Sequence, residues 1–372
     1  MFCVLALPAG SGLAMLLHIS PLTHLTGAGA VGRLTLGQRA RPESSGGHLL
    51  CAKRPAVCAW KARMSAHVPC EHKPVTLRTL AQMKREGAKI TMLTSYDVTF
   101  ARLSDAAGID MLLVGDSLGM VVKGEANTLG VSIEQMAYHT AAVARGVKRA
   151  HVVGDMPFMS YQASAEQAMH NAALLLRAGA SSVKLEGGEA IAATVARMVE
   201  AGIPVMGHVG LQPQSVHAMG GFVVQGREPT SRRRIIDDAQ ALERAGAYAA
   251  VLEGIPADLA AEITGTLGIP TIGIGAGPAC DGQVLVVYDL LGLNPDFSPK
   301  FVRKFVDGAQ VFVDAFSAYA AAVQGGSFPA QEHTFGSVAA PRPLRGNSAA
   351  DISASPDDKE RVASASAAEE AS

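Results

Sequence analysis

An α/β fold of the closed (β/α)8 or TIM-barrel type is what this 372-residue sequence predicts, on two observations. Between Lys89 and Gln324 the chain repeats one pattern, a short β-branched run with a polar residue at its end and then an amphipathic helix. Strands alternating with helices argue for a parallel sheet. Eight such units in about 235 residues match the ordinary length of a closed barrel. An open doubly wound sheet is the rival, and it would gather functional groups at one switch point instead of around a ring. In order, the runs are Ile90–Thr94, Met111–Val114, His151–Gly154, Ser182–Leu185, Pro204–Gly207, Ala249–Leu252, Pro270–Ile274 and Val284–Tyr288. Helical periodicity covers Ile133–Val147, Glu166–Ala178, Ala190–Ala201, Ile235–Ala245 and Asp258–Thr266. Gly146, Gly179, Gly202, Gly246 and Gly268 fall at or just past helix ends, where a left-handed cap favours glycine.

Composition narrows the class. Apolar residues at 48% and charged residues at 17% exclude wholesale disorder. A formal charge of −1 gives no pull toward nucleic acid or anionic lipid, and 5% aromatics offer no base-stacking platform. The ends differ from the middle: residues 1–72 hold 7 basic and 2 acidic side chains, residues 73–340 hold 21 and 25, and residues 341–372 hold 4 and 6. Three segments are expected: a poorly structured extension over 1–72, a catalytic (β/α)8 domain over 73–340, and a disordered tail over 341–372. The first apolar run, Phe2 to Leu17, is broken by proline and glycine and falls short of the ~20 residues of a membrane span. Met64 is the expected true start. The basic stretch Arg33–Arg63, with Glu43 its only acid, otherwise reads as a mitochondrial transit peptide or a functional extension. Only Cys280 of five cysteines lies in the body, so a reducing, cytoplasmic setting is expected, or a mitochondrial one if residues 1–63 are a transit peptide.

Functional side chains of such a barrel stand at the carboxyl ends of its strands. Those positions read Ser95-Tyr96-Asp97, Gly115-Asp116-Ser117, Asp155, Lys184-Leu-Glu186, His208, Glu253 and Gly275-Ala-Gly277. A single Asp there is often a helix cap. An ionisable group at every mouth from the second strand to the sixth is more than caps produce by chance. Asp116 and Asp155 end neighbouring strands, and adjacent carboxylates repel unless they share a proton or a cation. With no cysteine and one histidine in the ring the donors are hard oxygens, which points to Mg²⁺. Lys184 and Glu186 face one side of their strand. Lys184 could hold a substrate anion with Glu186 in or beside the metal shell, or the two could be a buried ion pair. Glu253, after Val251-Leu252, is the candidate general base, apolar neighbours making a carboxylate more basic. His208 is either a second acid/base or a hydrogen-bonding wall.

The strings Val114-Gly-Asp-Ser-Leu-Gly-Met120, Asp155-Met-Pro-Phe158, Val183-Lys-Leu-Glu-Gly-Gly188, Gly207-His-Val-Gly-Leu-Gln-Pro-Gln214, Gly220-Gly-Phe-Val-Val-Gln-Gly226 and Gly273-Ile-Gly-Ala-Gly277 occur in this order. From about Lys73 to about Phe335 the chain thereby resembles the ketopantoate hydroxymethyltransferase family. The resemblance implies a barrel of the phosphoenolpyruvate/pyruvate-binding superfamily and a large homo-oligomer, a decamer of pentamer rings. It implies transfer of a one-carbon unit from the cosubstrate 5,10-methylenetetrahydrofolate to 3-methyl-2-oxobutanoate through a Mg²⁺-bound enolate, giving 2-dehydropantoate for pantothenate and coenzyme A biosynthesis. Asp116 and Asp155 then correspond to metal ligands and Glu186 to a metal-associated carboxylate. Asp116, Ser117, Asp155, Lys184 and His208 would meet the keto acid, and Glu253 would be the catalytic base. Tyr288 stands where family members often have histidine. The partners implied are small molecules, with no nucleic acid or membrane. A mobile cover over the mouth is expected, with Met120–Val131 as its candidate. The alternative is a Mg²⁺-dependent keto-acid carbon–carbon lyase of the same superfamily. Such lyases more often carry a cysteine near the mouth, where this chain has only Cys280 nearby.

Overall fold

All eight apolar runs become parallel strands in the computed structural model, which describes residues 73–295 and 299–336. They are β1 (Ile90–Thr94), β2 (Met111–Val114), β3 (His151–Asp155), β4 (Ser182–Glu186), β5 (Val205–Gly210), β6 (Ala249–Glu253), β7 (Thr271–Ile274) and β8 (Gly282–Leu285). Each pairs with its successor and β8 pairs with β1, so the sheet closes into a barrel and the open-sheet alternative falls. The expected extension over 1–72 and tail over 341–372 lie outside the described residues.

Helices occupy the connections: α1 (Leu77–Glu86), α2 (Val98–Ala106), the short α3 (Leu118–Val121), α4 (Ile133–Ala144), α5 (Ala165–Arg177), α6 (Glu189–Glu200), α7 (Pro229–Arg244), α8 (Ala257–Thr266), the short α9 (Val287–Leu290) and α10 (Gly308–Gln324). Helix α7 starts six residues before the expected Ile235 because Pro229 sits in its first turn, where a missing N–H costs nothing. Strand β8 ends at Leu285, not Tyr288. Val287 turns its N–H onto Thr94 Oγ1, and the next residues wind into α9. Of the five helix-end glycines, Gly179, Gly202 and Gly246 have positive φ. Gly146 instead makes room, since a Cβ there would stand 2.8 Å from Val98 O.

Two apolar layers result. Ile90, Met92, Met111, Leu113, Val153, Met206, Val251, Ile272 and Val284 pack as one buried cluster together with Val75 and Leu80. A second cluster joins the other strand faces to the helices through residues such as Val114, Leu175, Val183, Leu242 and Leu259. Helix α1 covers the amino-terminal end of the barrel. Val75 N–H donates to Arg149 O just before β3, and Lys84 pairs with Asp281 just before β8 at 2.7 Å. The opposite end is left for chemistry.

At the covered end, His151 Nε2 lies 2.8 Å from Ser182 Oγ, which in turn lies 2.9 Å from Tyr248 Oη. Burial pushes the His151 imidazole down from 6.5 to about 4, so it folds neutral. The unfolded chain binds that proton more tightly, and its contribution to stability is complete above about 6.5 and lost as the pH falls toward 4. The shift corresponds to about 3 kcal/mol. His151→Gln is expected to flatten the pH dependence of the urea midpoint between pH 6.5 and 4.

The described chain divides between Ala309 and Gln310 into two compact units, the first of which holds the barrel. The described part of the second comprises most of α10 and a 3-10 turn at Gln331–His333. Along α10, Val311, Phe312, Phe316 and Tyr319 are exposed. Among the described residues no helix is long and apolar enough to cross a membrane.

Candidate active site

Strands β3, β4 and β6 run one residue further than the apolar pattern, so Asp155, Glu186 and Glu253 are their last residues. The pleat then decides which way they point. Lys184 and Glu186 lie two apart on β4 and both are at least nine-tenths buried, as are Asp116, Asp155 and His208. Gly210, two residues past His208, has φ 95°, and a Cβ there would collide with the Glu253 carbonyl. Only glycine lets β5 and β6 close up behind His208 and Glu253.

The predicted residues meet. Asp116 N–H donates to Asp155 Oδ2 at 3.2 Å, joining the mouths of β2 and β3. Lys184 Nζ stands 2.9 Å from Asp155 Oδ1 and 3.6 Å from Glu186 Oε1. The first contact is an ion pair without a well-aligned hydrogen bond, since Asp155 Oδ1 has no hydrogen-bond partner. His208 Nδ1 lies 3.3 Å from Lys184 Nζ and 3.5 Å from Glu186 Oε1. On the other side of the ring, His208 Nε2 faces Glu253 Oε2 at 3.3 Å. A chain of charged groups thus runs from Asp116 to Glu253.

Their titration follows from burial and from one another. Burial raises Asp116 well above the ordinary carboxylate range, and the charges of Asp155 and Glu186 push it further. Asp155 is also raised, burial outweighing Lys184. For Lys184 burial works downward, but Asp155, Glu186 and Asp116 together hold the ammonium charged far above neutrality. Burial acts against ionised Glu186 too, yet Lys184 and His208 bring it below its usual value. For His208 burial and Lys184 work downward, but Glu186 and Glu253 overcome them and raise it to about 9. Four acidic side chains therefore face Lys184 and His208. Removing Lys184 would leave Asp155 buried without its cation, and breaking a buried pair in this way ordinarily costs about 3–5 kcal/mol. Lys184→Met is expected to lower the urea midpoint of unfolding accordingly.

Each acidic side chain of the Asp116–Asp155–Glu186 group has one oxygen held by a neutral donor. Gln214 Nε2 donates to Asp116 Oδ2, Asp116 N–H to Asp155 Oδ2, and Gln214 N–H to Glu186 Oε2. Glu186 Oε1 is buried without a hydrogen-bond partner. Among the described residues no three carboxylate, imidazole or thiol groups are gathered closely enough to cage a cation alone. Mg²⁺ does not need such a cage, because it takes one or two carboxylates and completes its shell with water and substrate oxygens. The joined pair Asp116–Asp155 fits that demand, and Glu186 stands across Lys184 from it.

Other expectations resolve differently. Glu253 is not enclosed by apolar neighbours: its side chain is 19% exposed and faces His208. Asp97 caps α2 by accepting from Thr99 N–H and Phe100 N–H, a structural role. Ser117 caps nothing, and its Oγ lies 2.9 Å from Tyr96 Oη. Tyr288 packs its ring 5.9 Å from those of Tyr96 and of Phe100, backing Ser117's partner. The stretch 120–131 is tied down in this structure, Lys123 pairing with Glu125 at 2.6 Å and donating to Gly130 O. Reading only ionisable mouths missed Gln214 and Tyr161, both buried among the carboxylates. The string ending at Gln214 was the one available signal.

A closed parallel barrel with buried carboxylates, a charged lysine and a histidine–glutamate pair at its carboxyl end defines an enzyme of the (β/α)8 class. Residues 74–331 match the ketopantoate hydroxymethyltransferase family, and the chain belongs to it. It is 55% identical over 264 residues to a 3-methyl-2-oxobutanoate hydroxymethyltransferase of Magnetococcus marinus, covering 71% of this chain and 98% of the relative. A protein of the same name from Methylobacillus flagellatus is 55% identical over 261 residues, 70% of this chain and all of the relative. A crystal structure of 2,3-dimethylmalate lyase, a PEP mutase/isocitrate lyase superfamily member, shares 16% identity over 68% of this chain and 98% of its own, with a TM-score of 0.44. A likeness at that level bears on neither substrate nor mechanism.

Proposed function

We propose that this chain transfers a hydroxymethyl group from 5,10-methylenetetrahydrofolate to 3-methyl-2-oxobutanoate, giving 2-dehydropantoate, the first committed step toward pantothenate and coenzyme A. The observation that carries this reading is the unbroken run of ionisable groups from the Asp116–Asp155 pair through Lys184 and His208 to Glu253. It sets an anion-holding end beside a proton-accepting end, as removal of a proton next to a keto acid requires.

In this reading Lys184, with Ser117 and the Asp116 backbone, holds the substrate carboxylate. Asp116 and Asp155 would hold Mg²⁺, with Glu186 beside them, and the ion would serve as a Lewis acid for the keto-acid oxygens. Glu253 accepts the proton from C3. His208 faces Glu253 Oε2 and Glu186 Oε1, fixing the direction in which Glu253 presents its carboxylate. C3 then bonds to the one-carbon unit. In the overall balance the two bonds from that carbon to folate nitrogens are replaced by one to C3 and one to a hydroxyl from water. The proton from C3 and the second hydrogen of that water end on the folate nitrogens.

The lyase alternative loses its cysteine. Cys280 is fully buried, and burial raises its thiol above the usual value, so among the described residues no reactive thiolate stands at the mouth. We place the enzyme in the cytoplasm and expect a homo-oligomer, a decamer of pentamer rings by family resemblance. The exposed Phe312, Phe316 and Tyr319 of α10 support association. Incubation with the keto acid, methylenetetrahydrofolate and Mg²⁺ is expected to yield 2-dehydropantoate. Cleavage of a hydroxy acid to pyruvate or glyoxylate, without that product, would favour the lyase.

A further inference from the structure

Gln214 sits in the 3-10 turn Pro213–Ser215 that follows β5, with 4% of its surface exposed. Both polar atoms of its side chain and its backbone N–H are engaged at the site. Nε2 donates to Asp116 Oδ2 and to Met156 O, each at 2.9 Å. Oε1 accepts from Tyr161 Oη at 2.9 Å and from Gln162 Nε2 at 3.3 Å. Its backbone N–H donates to Glu186 Oε2 at 3.0 Å. A carboxamide has two donor hydrogens and two acceptor lone pairs, so this set is complete. Rotating the amide by 180° would aim its carbonyl at Asp116 and at Met156 O, acceptor against acceptor. Asp116 Oδ2 and Met156 O thus fix the observed orientation, and Tyr161 lies where it can complete it. Its hydroxyl accepts from Glu186 N–H at 3.0 Å, and its single proton serves Gln214 Oε1 or Glu186 O, both 2.9 Å away.

One neutral residue therefore takes one oxygen of Asp116 and one of Glu186, at the mouths of β2 and β4. Without that donor Asp116 Oδ2 would swing free beside two like charges. We infer that Gln214, backed by Tyr161, is a positioning residue that turns Asp116 so that its other oxygen faces a divalent cation, while its backbone N–H holds Glu186 beside it. This rests on the cation reading above, and Gln214 itself touches neither substrate nor reacting atoms in it. Outer partners of metal-binding carboxylates ordinarily govern affinity by about 10- to 100-fold.

The test is cation binding without turnover. Mn²⁺ is titrated into the full-length wild-type, Gln214→Leu and Tyr161→Phe proteins, free ion being followed by electron paramagnetic resonance. Gln214→Leu is expected to weaken Mn²⁺ binding about 10- to 100-fold and Tyr161→Phe about 10-fold, with turnover recovering at high Mg²⁺. Tyr161→Phe keeps the ring in place and decides the matter if Gln214→Leu does not fold. Wild-type binding with unchanged affinity in the folded variants would overturn the positioning role and leave the cation reading standing. No Mn²⁺ binding by the wild type, with or without keto acid, would overturn both.

Discussion

Glu253→Gln is expected to lower kcat by about 10²- to 10⁴-fold, the span that a positioned general base ordinarily supplies. The KM for keto acid is expected to stay within a fewfold of the wild type. Glu253 meets His208 at the far end of the charged run, while Lys184 and the Asp116–Asp155 pair stand at the other end. Glutamine keeps the volume and offers a carbonyl to His208 Nε2, so the ring of groups is preserved while the proton acceptor is lost. A fall in kcat and kcat/KM together marks a group used only in the reaction step. Steady-state kinetics at saturating Mg²⁺ and folate check this. A raised KM with kcat intact would reassign Glu253 to substrate binding.

Asp116→Asn has the second large effect, and it pulls activity and stability apart. Asparagine retains an acceptor for Gln214 Nε2 but removes a buried group that can ionise. Burial and the charges of Asp155 and Glu186 already oppose ionisation of Asp116. In Mg²⁺-free buffer the variant should therefore unfold at the same or a higher urea concentration than the wild type. Turnover should fall by about 10³-fold, because loss of a Lewis acid removes several kcal/mol of stabilisation. Urea denaturation and an activity assay on one preparation decide it. A variant both less stable and active would mean that Asp116 is a structural carboxylate.

Much of this was legible because barrel architecture turns sequence order into spatial order. Runs such as Met111–Val114 and Ser182–Leu185 announce buried parallel strands, and a strand's end becomes a place in the ring. That is why Asp116, Asp155, Lys184, Glu186, His208 and Glu253, scattered over 138 residues, could be expected at one mouth. Tertiary contacts hid the rest. The end of β8 depends on Thr94 capturing Val287 N–H, a bond across 193 positions. The surroundings of Glu253 come from His208 on the neighbouring strand, not from Val251 and Leu252, whose side chains pack into different layers. Gln214 and Tyr161 carry no charge, and their weight lies wholly in hydrogen bonds formed on folding.

In the proposed reaction, loss of the C3 hydrogen is the step on which everything else depends, and it can be watched alone. The keto acid and Mg²⁺ are incubated with enzyme in deuterium oxide, with tetrahydrofolate but no one-carbon unit, and the C3 proton is followed by nuclear magnetic resonance. Exchange of that proton is expected with the wild type and a collapse to the uncatalysed rate with Glu253→Gln. Undiminished exchange in Glu253→Gln, or none in a wild-type enzyme that forms 2-dehydropantoate, would contradict the account.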